Sequence, residues 1–247
     1  MALPKIQYPI YKVYLKSLDK EIRFRPFLVK EEKLILMAKE AEDVDTALDT
    51  AKQIIQNCIL DQGVDVEDLP LFDIEMMFIH LRLRSVGESL ELTYKCENVV
   101  DAPTETSDGI CGSPMVFEVD LNEVEYIVPE GHTKKIMIDD KIGVMLKYPS
   151  ITAAKRLSNE GSDFSDIVDL IYEHIDYIFD DGQKYKSEEV PKEEVEDFIG
   201  SLSIEQLEYF RNFFMTVPYV RSLKEVTCKK CGFGHKIEVR GLNDFFG

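Results

Sequence analysis

Cys228-Lys229-Lys230-Cys231-Gly232-Phe233-Gly234 is a cysteine knuckle near the end of the chain, and it has a counterpart far upstream. Cys96 follows the strand-like stretch 90–95, and Cys111 precedes the strand-like stretch 115–119. Four thiolates complete the tetrahedral shell of a structural zinc ion and leave no position for water or substrate. The pattern therefore predicts a split zinc-ribbon-like β element, with one structural zinc held by Cys96, Cys111, Cys228 and Cys231. Two alternatives stand beside it. His235 or His132 replaces one cysteine, or the thiols carry no metal and are free or form a redox pair. A thioredoxin-like redox pair needs a helix N-terminus to depress the thiol pKa. Here Cys231 leads instead through two glycines into a strand. The long separation of the two pairs is no obstacle, because loop-closure entropy grows only logarithmically with length.

Working outward, the chain of 247 residues is long enough for one large domain or two modest ones. At 45% hydrophobic residues it is a globular sequence, and no apolar run approaches the length of a membrane span. The first residues carry no signal-peptide core, which implies intracellular synthesis, where clustered cysteines more often hold metal than disulfides. The fifth cysteine, Cys58, shares a helical face with Ala51, Ile54 and Ile55 and reads as a small core residue. A formal net charge of −18 disfavours nucleic acid and anionic lipid, and it favours basic protein partners or a simply solvated acidic surface.

The predicted class is α+β: N-terminal strands and helices, a helical C-terminal region and the split cysteine element. Residues 10–15 and 21–27 alternate as strands, and Pro26 ends the second or puts it at an edge. Helices are expected over 30–42 and 45–60, and from Asp73, read as an N-cap, to Gly87, read as a left-handed stop. The residues between Cys96 and Cys111 form a polar loop. A hairpin follows over 135–138 and 144–147, with Gly143 suited to a positive φ. Helices over 151–157 and 164–177, a short hairpin around Asp180-Asp181-Gly182, and helices before Gly200 and after Ser203 complete the middle. Ser203 and Gln206 make a capping box. The organisation predicted is 1–89, an α+β region; 90–148, a β region with the first cysteine pair; 149–221, helical; and 222–247, knuckle, closing strand and tail.

Enzyme motifs are missing. There is no phosphate loop, no His-Glu-x-x-His and no Gly-x-Ser-x-Gly. The four histidines are scattered, and Asp180-Asp181-Gly182 lacks the spaced ligands of a calcium loop. The expectation is a protein that is not an enzyme.

Three stretches together carry a resemblance. They are Ile22-Arg23-Phe24-Arg25-Pro26-Phe27-Leu28-Val29-Lys30-Glu31-Glu32, Leu81-Arg82-Leu83-Arg84-Ser85-Val86-Gly87-Glu88, and the segment from Tyr94-Lys95-Cys96 to Cys111. The chain resembles the baseplate hub subunit and hub assembly proteins of T-even-type contractile-tailed phages. The likeness is best over the first 130 or so residues. It implies a non-enzymatic role in building the hub at the centre of the tail baseplate. The partners would be other hub and tail proteins. The location would be the host cytoplasm during assembly, or the virion tail. In the two arginine motifs, Arg23, Arg25, Phe27, Arg82 and Arg84 read either as docking residues or as internal salt-bridge and packing residues. Phe245 and Phe246 read as a docking tail or as a tail folded back on the body. Two rival functions remain at this level: a zinc-ribbon nucleic-acid adaptor, favoured by Lys229, Lys230 and Lys236 but opposed by the net charge, and a hub-associated hydrolase.

Overall fold

The computed structural model describes residues 6–41, 44–101, 109–150 and 164–246. The helix expected over 151–157 and the middle of the loop between Cys96 and Cys111 lie outside them. The described chain is α+β and divides into two compact units. One gathers residues 1–66, 72–126 and 220–247, and the other gathers 67–71 and 127–219. The division cuts the expected 90–148 region at residue 126. It also puts the two cysteine-bearing segments, far apart in sequence, into the same unit.

The first unit begins with the antiparallel hairpin β1 (Tyr11–Leu15) and β2 (Lys20–Phe24), in which Val13 faces Ile22 in register. Alternation buries Val13, Leu15, Ile22 and Phe24 and leaves the intervening residues largely to solvent. The ladder ends before Pro26, as a residue without an N–H requires. Helices α1 (Val29–Ala41), α2 (Val44–Cys58) and α3 (Leu71–Ser85) follow. Cys58 is fully buried on the α2 face with Ala51, Ile54 and Ile55, and burial pushes its thiol up to about 11. Met76 and Met77 of α3 lie in the core. Hairpin β3 (Ser89–Lys95) and β4 (Pro114–Asp120) forms a two-stranded sheet. Strands β5 (Glu125–Ile127), β10 (Tyr219–Thr227) and β11 (Gly234–Arg240) form another, in the order β11–β10–β5, and α7 (Leu242–Phe246) closes the chain.

Asp73 does not cap α3. It lies inside the first turn and is fully buried. Its carboxylate accepts the backbone N–H of Lys16 at 3.0 Å and of Ser17 at 2.9 Å, and the hydroxyl of Tyr126 at 2.7 Å. One side chain thus fastens the turn after β1 and strand β5 to α3. Gly87 does follow α3, but at φ +154° rather than in the left-handed helical region.

A second buried acid sits two residues on. Glu75 is 4% exposed, burial pushes its carboxyl up to about 8, and Arg240 opposes that shift. A folded-state pKa above the unfolded value of 4.5 means that the folded chain binds the extra proton between the two values. The stability contributed by protonated Glu75 is therefore complete below pH 4.5 and is lost as pH rises through about 8. The steepest slope expected is about −1.4 kcal/mol per pH unit. Denaturant melts of wild type and Glu75→Gln across that window check this, and the variant is expected to lose the slope.

The second unit is a four-stranded antiparallel sheet with helices against it. Strand order is β6 (Lys135–Met137), β7 (Ile142–Leu146), β8 (Ile175–Asp180), β9 (Gln183–Lys186). Helices α4 (Phe164–His174), α5 (Lys192–Gly200) and α6 (Ile204–Met215) supply Leu170, Ile171, Val195, Ile199, Phe210 and Phe213 to its core. The Ser203–Gln206 capping box forms, and Gln206 also donates from Nε2 to the Ile138 carbonyl at 3.0 Å.

Two expectations are corrected here. The helix read over 164–177 stops at His174, and Ile175 begins β8. The helical and strand periods both bury Ile175, and ladder pairing with β7 decides between them. Gly143 is not among the positive-φ residues. It is needed for space: a Cβ there would lie 2.2 Å from Phe179 Cζ and 2.9 Å from the Ile136 carbonyl oxygen. The hairpin turn is held by Asp139, whose carboxylate accepts the N–H groups of Lys141 and Ile142, each at 2.7 Å.

Candidate metal centre

The four cysteines converge. Cys96 and Cys111 lie just past the facing ends of β3 and β4, and Cys228 and Cys231 lie between β10 and β11. All four Sγ atoms are within 4.8 Å of one another. Cys96 Sγ is 3.6 Å from Cys231 Sγ, and Cys111 Sγ is 3.8 Å from Cys228 Sγ. A tetrahedron with metal–sulfur bonds of about 2.3 Å has sulfur–sulfur edges of about 3.8 Å. A disulfide would require roughly 2 Å. The spacing therefore fits four ligands around one ion and fits no bonded pair. Cys96, Cys111 and Cys228 are buried, and Cys231 is half-buried.

Backbone geometry aims the thiols. Gly112 and Gly232 adopt φ of +62° and +73°, a left-handed conformation that side chains resist. This lets the chain fold back directly after Cys111 and Cys231. Backbone N–H groups of Cys231 and Lys230 directed at Cys228 hold its thiol down, to about 6. Burial pushes Cys96 up to about 12. Around the cluster, the His235 imidazole Nε2 is 3.1 Å from Cys96 Sγ, and Asn98 Nδ2 donates toward Cys231 Sγ at 3.7 Å. Lys230 Nζ donates to the Cys111 carbonyl at 3.1 Å. His235 thus lies beside the four sulfurs as a hydrogen-bond partner. His132 is engaged in the second unit, with Thr216 and Tyr148. Asn98 was not singled out in the sequence; its only signal was its place two residues after Cys96.

The T4 bacteriophage base plate protein family matches residues 8–247. The chain belongs to that family. No curated protein and no solved structure matches it.

The motif residues of the baseplate protein are largely spent on its own fold. Arg23 Nε donates to Asp61 at 2.7 Å. Arg25 pairs with the fully buried Glu31 at 3.0 Å and also donates to the carbonyls of Pro26 and Asn57. Arg82 is half-buried, with the charge of Glu32 nearby. Arg84 is exposed and stands 5.2 Å over the ring of Tyr11. Phe27, read as a docking or packing residue, is 8% exposed and packs in the core, its N–H bound to Ser85 Oγ at 2.9 Å. Of the two readings of the tail, the structure has Phe245 folded back and fully buried, helped by Asp244, which accepts the Tyr94 hydroxyl at 2.6 Å and the Arg240 N–H at 3.0 Å. The Phe246 side chain lies outside the described residues. Among the described residues no helix is long and apolar enough to cross a membrane.

Proposed function

We propose that this baseplate protein is a non-enzymatic structural or assembly component of the hub at the centre of the tail baseplate, binding other hub and tail proteins. The observation that carries this reading is the family match over residues 8–247. The four thiols act in it as a metal staple of zinc-ribbon type rather than as a reaction centre, since four protein ligands leave no open position for substrate. The net charge of −18 makes basic surfaces the fitting partners. The protein works from the host cytoplasm during assembly, and the finished tail is where a hub component stays.

A phage with a stop codon early in this gene tests the function. The expected lysate contains heads and free hub proteins but few complete baseplates, and wild-type protein supplied in trans restores them. A normal yield of infectious, contractile particles would remove the reading. Mass spectrometry of purified virions then separates a resident component from a factor that leaves.

A further inference from the structure

The two cysteine segments are the same knuckle, once tight and once interrupted. In the tight copy the Cys228 N–H bonds to the Phe233 carbonyl and the Gly232 N–H to the Cys228 carbonyl, both at 2.9 Å. In the other copy the Cys96 N–H bonds to the Ser113 carbonyl and the Gly112 N–H to the Cys96 carbonyl, again both at 2.9 Å. Cys96 matches Cys228, Cys111 matches Cys231, Gly112 matches Gly232, and Ser113 matches Phe233. The ladders agree: β3 and β4 end on the pair Lys95–Pro114, β10 and β11 on Thr227–Gly234, and each first cysteine comes one residue later.

The contacts across the cluster are reciprocal. The first cysteine of each knuckle lies within 3.8 Å of the second cysteine of the other, Cys96 of Cys231 at 3.6 Å and Cys228 of Cys111 at 3.8 Å. The residue two places after each first cysteine, Asn98 or Lys230, reaches the second cysteine of the opposite knuckle, Asn98 at its sulfur and Lys230 at its carbonyl. This is an approximate two-fold relation, and His235 departs from it, because the matching place four residues after Cys111 holds Met115.

The extra chain in the first knuckle has a definite place. The Cys111 N–H bonds to the Asn98 carbonyl at 2.8 Å, so Asn98 and Cys111 are held within hydrogen-bond distance where Lys230 and Cys231 are sequence neighbours. Residues 99–110 leave and return at that point, closed at their base by the Val99–Ile110 bridge. Removing them would leave Cys96-Glu97-Asn98-Cys111-Gly112-Ser113, aligned residue for residue with Cys228-Lys229-Lys230-Cys231-Gly232-Phe233.

We propose that one zinc ion is held by these two equivalent knuckles, and that residues 99–110 are an insertion into the first which the metal does not require. The proposal rests on the reading of the thiols as a metal staple. A closed all-sulfur shell suits zinc, which needs no open position and no redox change. Shortening the loop lowers its closure entropy slightly and removes no ligand.

The test compares the full chain with a variant lacking residues 99–110, each purified with zinc and analysed for metal per chain, with cobalt substitution reporting the ligand set. The expected result is one zinc in both and the same tetrathiolate cobalt spectrum. A full chain without zinc would overturn the staple reading itself. Zinc in the full chain but none in a folded variant would overturn the equivalence of the knuckles alone. Should the variant fail to fold, a full-length, zinc-loaded chain with a specific protease site inside residues 102–108 decides. The nicked protein is expected to keep its zinc, and release of zinc on cleavage would overturn the proposal.

Discussion

Cys228→Ser is expected to lose the bound metal and to lower the melting temperature of the first unit by tens of degrees, or to prevent its folding. Cys228 is 1% exposed and sits among three other sulfurs. Structural zinc contributes on the order of 10 kcal/mol to small modules. Whole domains are stable by only about 5–15 kcal/mol. Loss of the proposed ion would therefore remove most of the margin and leave three thiols packed together without the charge that would draw them in. The control is Cys58→Ser, which alters an equally buried thiol with no part in the cluster. It is expected to cost about 1–3 kcal/mol from the buried polar change and to leave zinc content at wild-type level. Thermal melts with zinc analysis read both variants. Equal melting and equal metal for Cys228→Ser would remove the cysteine cluster from the account.

Asp73→Ala is expected to destabilise the first unit by about 3–5 kcal/mol, because buried donors left without an acceptor cost about 1–3 kcal/mol each. Two backbone N–H groups, of Lys16 and Ser17, lose their acceptor at once, and the Tyr126 hydroxyl falls back on the longer contact to the Tyr14 carbonyl at 3.4 Å. Burial raises the Asp73 carboxyl pKa, against the hydrogen bonds that lower it, so the residue is kept for those donors at a desolvation cost. Asp73→Asn keeps one acceptor oxygen and is expected to lose roughly half as much, since part of the network survives. Urea midpoints of the three proteins give the order. An alanine variant as stable as wild type would mean that water satisfies the donors.

How far the sequence could be read depended on whether the deciding interaction was local. The capping box at Ser203, the strand end before Pro26 and the core face carrying Cys58 are set within one turn or one strand, and they form as expected. The thiol cluster was legible despite its long separation, because two cysteine pairs beside strands leave few arrangements. What failed was tertiary. Asp73 looks like a helix cap, but its partners lie in the turn after β1 and on β5. Gly143 looks like a turn glycine, but it makes room for Phe179, a residue of another strand. Ile175 satisfies both periods, and only pairing with β7 makes it strand. For Phe245 the sequence left a docking tail and a folded-back tail open, and the side chain is buried. The match between the two knuckles was hidden because residues 99–110 disguise one of them.

The measurement that bears most directly on the account is native mass spectrometry of the purified full-length chain before and after treatment with a strong chelator. The predicted spectrum shows the chain carrying one zinc ion, with chelation producing an apo species of broadened, more highly charged states as the first unit opens. A metal-free chain of compact charge states, unchanged by chelator, would contradict the metal staple at its centre.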